Sequence, residues 1–384
     1  MDRSTGNRFV LNLREIGGAL GDLGTLLPLM LGVIAVAGLA PTPVLLGFAA
    51  FYVLTALVYR LPIPVQPMKA VAAVLLTAQV SGAELVASGV AIGAVMLLLG
   101  TTGWIDRVAR AVPQSVLAGL QLGLGLALAL VALELLGTAP VAGAAILALL
   151  IGLLLAPRFP AALIALSAAI VLAQVVEVPG IGFPGEPVTG LALPALPSLA
   201  ELRQSLTLLV LPQLSLTLTN AVLITALLAG DYYGPRAAHV TPARLSITTG
   251  LANLLLTPFG ALPMCHGAGG LAAHHRFGAR SGTAPLLLGL ALAALALAPG
   301  RLGIELLAAV PAAGLGALLL MAAGDLALSK RLFDGKPSCL PVIAATAAVT
   351  LWANPFWGLL AGCGAELVRV VIVRRLLRRD SPSR

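Results

Sequence analysis

The sequence predicts an all-α polytopic membrane protein of fourteen transmembrane segments, built as a seven-plus-seven inverted repeat in which spans 3 and 10 are broken. Three observations predict it. Of 384 residues, 59% are hydrophobic and only 10% charged, too few charges to coat a soluble protein of that length. Two stretches, Leu61 to Val80 and Gly260 to Gly278, interrupt the apolar pattern with proline and glycine at matching places in the two halves. The basic residues also sort onto one face once fourteen spans are drawn.

A helical span takes about 20 apolar residues, fewer where it is broken. Spans 1 and 2 are expected near 18–38 and 43–59, broken span 3 at 61–80 and span 4 near 83–100. Spans 5, 6 and 7 follow near 112–136, 139–156 and 160–178. After a linker rich in Pro and Gly, span 8 falls near 203–229, span 9 near 245–258 and broken span 10 at 260–275. Spans 11 to 14 fall near 282–298, 303–323, 338–353 and 355–373. The chain thus divides into a first repeat, 1–178, a linker, 179–202, a second repeat, 203–373, and a basic tail, 374–384.

With the N-terminus inside, basic residues from Arg3 and Arg8 through Arg110 and Arg158 to Arg384 in the tail fall on the inner face. Only Arg203 and Arg301 fall outside, and Lys69 lies within the membrane. This places both termini in the cytoplasm and the protein in the cytoplasmic (inner) membrane. An odd number of spans per half inverts the second half and points the two breaks at each other. The net charge of +8 serves topology, so no nucleic-acid partner is implied. Met1 to Glu15 is polar and leads straight into span 1, with no cleavable signal expected. Cys265, Cys339 and Cys363 sit at unrelated spacings, which fits neither a metal site nor disulfides.

The broken spans carry the candidate site. In LPIPVQPMKAVAAV, Pro62, Pro64 and Pro67 favour an extended strip, and a half-helix is expected to start at Pro67. Its open amides would lie mid-membrane, where they suit an anion, and Lys69 adds a full charge in the first turn. Gln66, Met68 and Lys69 flank this end; Cys265, His266 and Gly267 flank its counterpart. Glycines there let backbone approach a ligand. Asp22 and Thr25 interrupt span 1, and an intramembrane carboxylate implies a proton-coupling residue or an ion pair, with Lys69 a candidate partner. In span 8, Gln213, Thr217 and Asn220 share one helical face, and Asn220 stands in the second half where Asp22 stands in the first. Asp231 at the inner end of span 8 is a second candidate for proton coupling. His274 and His275 beside Arg276 read as interfacial, and adjacent histidines on a helix cannot share a metal ion. No motif for ATP hydrolysis or for a zinc or serine hydrolase is present, so the chain is not expected to be an enzyme or to need a cofactor.

GDLGTLLPL (21–29), PVQPMKAVAAV (64–74), LPQLSLTLTNAV (211–222), GDYY (230–233) and PMCHGAGGLAAHHRFGARSG (263–282) resemble signatures of the molybdate transporters of plants and bacteria, a branch of the SulP sulfate-permease superfamily. The resemblance implies a core domain of spans 1–4 and 8–11, a gate domain of spans 5–7 and 12–14, and an elevator-type movement of one against the other. It places the oxyanion between the half-helices; from the residues themselves, Gln66, Lys69, Cys265, His266 and Gly267 are expected to surround it, with Asn220, Gln213 and Thr25 completing the cavity. About eleven residues follow span 14, which matches the branch without the C-terminal regulatory domain. The expected function is proton-coupled secondary active transport of molybdate; sulfate or general small-oxyanion transport and a passive anion channel are the alternatives. Membrane lipid surrounds such a fold, which is compatible with a homodimer.

Overall fold

Apolar runs of this length satisfy their backbone by coiling into helices. The computed structural model describes residues 9–105, 107, 113–155, 161–178, 180–181, 197–299, 302–333 and 336–379. Linker residues 182–196, the tail beyond 379, and Arg3, Arg8, Arg110, Arg158, Arg301 and Arg384 lie outside the described residues. The first half runs α1 (Leu13–Gly21), α2 (Leu23–Val36), α3 (Pro41–Tyr59), β1 (Gln66–Pro67), α4 (Lys69–Thr77) and α5 (Gly82–Thr102). It continues through α6 (Gln114–Gly137), α7 (Pro140–Leu155) and α8 (Ala161–Val176). The second half runs α9 (Leu199–Ala237), α10 (Pro242–Leu256), β2 (Met264–Cys265), α11 (Ala268–Arg276) and α12 (Thr283–Leu297). It ends with α13 (Leu302–Ala308), α14 (Ala312–Ala327), α15 (Leu340–Trp352) and α16 (Pro355–Arg379).

Five of these helices are long and apolar enough to cross a membrane, or up to seven if each bent pair counts as one span; the other apolar helices are shorter. The bends have local causes. α1 and α2 meet at 45° around Asp22, the C-cap of one and the N-cap of the other. Capping boxes start α5 (Ser81, Glu84) and α9 (Ser198, Glu201), and Ser81 Oγ donates to Glu201 Oε1 at 3.0 Å, tying the two starts together.

Three expectations need correction. The first half-helix starts at Lys69 with Met68 as its N-cap, because Pro67 is held in β1 opposite Met264. The stretch read as span 12 is two helices, since Pro311 ends α13's run and caps α14, while Val310 O accepts from Ile181 N at 2.7 Å. α9 is longer than span 8 and contains two π-helical stretches, Ser205–Val210 and Thr217–Ile224. The first lies just before Pro212, whose ring would clash with the carbonyl four residues earlier in a regular α-helix.

α3 packs along α12 and α5 along α10, while α6 packs against both α14 and α15. The α6–α15–α16 contact is made through small residues. A Cβ at Gly119 or Gly123 would meet Thr346 or Thr350, and a Cβ at Gly358 or Gly362 would meet the same two threonines from the other side. The GxxxG pairs of α6 and α16 therefore clasp one helix between them. Gly123→Leu is expected to lower stability by about 1–3 kcal/mol, as overpacking does. Gly152→Leu, whose Cβ meets nothing within 4 Å, should leave it unchanged. Thermal unfolding of both variants in detergent checks the contrast.

Candidate functional site

The two extended strips meet as an antiparallel pair, Gln66 opposite Cys265 and Pro67 opposite Met264. Met68 N donates to Pro263 O at 3.1 Å, so the register does not call on the amide that Pro67 lacks. Asn253 on α10 completes the ladder by side chain: its Nδ2 donates to Met264 O at 2.6 Å and its Oδ1 accepts from Met264 N at 3.0 Å. Each strand then turns into a nine-residue helix, α4 or α11.

Where strands become helices there is a small, partly open cleft. Gln66, Pro67 and Lys69 line one wall, Cys265 and His266 another. α9 closes it with Gln213, Thr217 and Asn220, whose shared face the sequence predicted; Gln213 lies just before the second π-helical stretch and the other two within it. α6 adds Gln121, which sequence reasoning missed; a lone glutamine in the run LAGLQLGLGL was the available signal. Lys69 is the one cationic side chain among the lining residues.

The helix starts are not alike. Gln213 Oε1 accepts from the amides of Ala70 (2.9 Å) and Val71 (3.3 Å), and its Nε2 donates to Thr217 at 2.8 Å. Gln213 thus caps α4 and leaves only the Lys69 amide of the first turn without a partner among the described residues, where open amides were expected. At α11 no side chain caps the start, and the amides of Ala268, Gly269 and Gly270 take no partner among the described residues.

Asp22 lies one hydrogen bond behind the cleft and is fully buried. It accepts from Gln66 Nε2 at 2.6 Å and from Tyr52 Oη at 2.8 Å, and His274 Nε2 stands 3.7 Å from its Oδ2. Its partner is therefore not Lys69. His274 is also fully buried rather than interfacial, because its Nδ1 donates to Gly18 O at 2.7 Å and draws the ring against α1. His275 points the other way and stacks on Tyr232, ring centroids 4.1 Å apart. Tyr52 and the buried pair were missed because nothing local in the sequence joins α3 and α11 to Asp22.

Other expected residues sit apart. His266 lines the cleft, but both ring nitrogens are engaged, Nδ1 donating to Pro64 O at 2.9 Å and Nε2 meeting Thr248 Oγ1 at 2.8 Å. Thr25 and Met68 are not among the lining residues. Asp231 is exposed at the end of α9 and is not brought to Asp22. Gly267 has Gln66 Oε1 where its Cβ would be, so it makes room for that side chain.

A family model described as molybdate transporter of MFS superfamily matches residues 14–128 and 205–326. Molybdate transporter 1 of Arabidopsis thaliana is 31% identical, over 98% of this chain and 91% of the relative. Molybdate transporter 1 of Chlamydomonas reinhardtii is 29% identical, over 83% of each. Among solved structures, the transmembrane domain of the cyanobacterial bicarbonate transporter BicA matches with TM-score 0.69 at 16% identity, covering 91% of this chain and 96% of that one. Murine Slc26a9, an anion transporter in the inward-facing state, matches with TM-score 0.67 at 15% identity, covering 95% and 70%. The fold is therefore that of these multi-pass transporters, whatever superfamily label the family description carries.

A Cβ at Gly270 would fall on Asp22 Oδ1 and Gln66 Nε2, whereas one at Gly269 would meet nothing within 4 Å. Gly270→Ala is expected to lose about 1–3 kcal/mol of stability and with it the Asp22–Gln66 bond. Gly269→Ala should be neutral. Melting temperatures of the two variants, measured side by side, test whether the Asp22 cluster is packed as described.

Proposed function

We propose that this chain, which belongs to the molybdate transporter family, is a secondary active transporter that carries molybdate across the cytoplasmic membrane in company with a proton. The observation that carries the reading is the cleft between the two strand-to-helix turns, which Lys69 lines and beside which α11 starts with its first amides unpartnered among the described residues. A tetrahedral dianion suits these donors: the Lys69 ammonium neutralises charge, and the α11 amides and Asn220 donate to oxygens. Gln213 Oε1 already occupies the Ala70 and Val71 amides as an oxyanion oxygen would, so an incoming anion competes with it. Cys265, and His266 through its backbone, complete the lining.

In this reading the strand–helix units of the two halves are the broken spans of a seven-plus-seven inverted repeat with both termini cytoplasmic. The core comprises α1–α5 and α9–α12, and the gate α6–α8 and α13–α16. The concentration of packing within each group, α3 on α12 and α5 on α10 against α6 on α14 and α15, supports that division and an elevator-type movement between the groups. Asp22 is the coupling carboxylate, reaching the anion through Gln66.

Lys69→Ala is expected to weaken molybdate binding to the purified protein by at least about tenfold, roughly 1.4 kcal/mol. Isothermal titration with excess sulfate as competitor tests site and substrate together. Wild-type affinity in a folded Lys69→Ala variant would remove its assigned role. Equal displacement by sulfate would make the substrate a general small oxyanion.

A further inference from the structure

We infer that His274 shares the coupling proton with Asp22, so that the seat of coupling is a buried carboxylate–imidazole pair; this deepens the proton-coupled reading above and rests on it. A backbone carbonyl only accepts hydrogen bonds, so the 2.7 Å contact to Gly18 O fixes a proton on His274 Nδ1. The other nitrogen, Nε2, has no hydrogen-bond partner and lies 3.7 Å from Asp22 Oδ2, both side chains being 0% exposed. If Nε2 is bare and Asp22 ionised, a lone pair faces a carboxylate oxygen 3.7 Å away. One further proton, on Nε2 or on Oδ2, converts that opposition into an attraction. Tyr52 and Gln66 both donate to Asp22 and leave an Oδ2 lone pair for this third partner.

The pair therefore has two states that differ by one proton and one unit of charge. With the proton it is neutral overall, as imidazolium–carboxylate or as imidazole–carboxylic acid. Without it, a net negative charge remains one hydrogen bond behind Gln66, which lines the cleft. A dianion in the cleft favours the neutral state, so anion binding takes up a proton and tightens as pH falls. α11 joins the two events directly, since its first turn carries the open amides and its last turn carries His274.

The other ionisable groups on elements packed against the pair are accounted for. α3 contributes Tyr52, as donor, and Tyr59, whose hydroxyl pairs with Thr248 at 2.8 Å; Lys69 on α4 lines the cleft, and Asp325 on α14 is exposed. From α1, Glu15 accepts from Arg280 N at 2.8 Å, and Arg14 lies beside Gly278. At the inner end of α9, Tyr232 and Tyr233 pack on His275, and Asp231 is exposed. Arg276 follows on α11, and the Arg280 guanidinium donates to the carbonyls of His275 and Ala279. Among the described residues, only Tyr52 and Gln66 hydrogen-bond to the Asp22 carboxylate, and no ionisable side chain bonds to His274 Nε2.

The test is calorimetric titration of molybdate into purified protein in buffers of differing protonation enthalpy, which counts protons taken up per anion, repeated across pH. Wild type should take up about one, and Asp22→Asn close to none. His274→Gln keeps a neutral donor toward Asp22 but cannot hold the proton; its uptake should fall below half, and its pH profile should shift by more than about one unit. A His274→Gln protein with wild-type proton count and profile overturns the shared seat while leaving Asp22 as sole coupling group. No uptake by wild type, with binding intact, overturns proton coupling itself and this inference with it. If His274→Gln does not fold, ¹⁵N-histidine spectra of wild type decide. One of the four histidines should gain a proton or a hydrogen bond at Nε2 as molybdate is added, read as a shift of its ¹⁵N resonance, a change absent in Asp22→Asn. Spectra unchanged by molybdate overturn the inference.

Discussion

Everything at the centre of this molecule depends on satisfying extended backbone where no water reaches. Ile63, Val65, Leu262 and Met264 are fully buried on strips that cannot hydrogen-bond within themselves as a helix does. The ladder between them is two residues long, so side chains supply the rest. Asn253 serves both polar groups of Met264, and His266 serves Pro64 O. An unpaired buried amide or carbonyl costs about 1–3 kcal/mol, which makes these side chains as structural as the strands. The cleft exists because both strips must end, and each ends by turning into a helix.

The charges are arranged around the same joint. A lysine stands in the cleft and a carboxylate behind it, with Gln66 between them as a hydrogen-bonded spacer. Separation by a neutral amide keeps the two from cancelling each other, as a direct Asp22–Lys69 pair would have done. Glycines 267 and 270 make this possible, because side chains at either would occupy the volume of the Gln66 amide.

Much of this was legible in the sequence, for local reasons. Prolines 62, 64 and 67 and the glycines near 267 break apolar runs, and such breaks are local chemistry; the strand–helix units lie where the breaks are. Gln213, Thr217 and Asn220 were legible as one face because helical spacing is regular, and the π-helical stretch did not undo it. Pairings between distant segments were not legible. His274 beside His275 and Arg276 looks like a membrane-surface cluster, and only the crossing of α11 over Gly18 turns it inward. Likewise nothing in LPQLSL says that Gln213 will cap a helix that starts at Lys69. Pro311 was a visible breaker set in a run of small apolar residues, where hydropathy hid its effect.

The strand pair also imposes an order on biogenesis. Gln66 bonds to Cys265, so the first strip leaves the ribosome about 200 residues before its partner exists. At synthesis rates of about 5–20 residues per second, that is an interval on the order of 10 to 40 seconds. During it the first half holds an unpaired strip, and α4 lacks the cap that residue 213 later provides. A nine-residue helix is too short to persist unaided. The first half therefore waits in the membrane as an unfinished template, and the late arrival of β2 closes both halves at once.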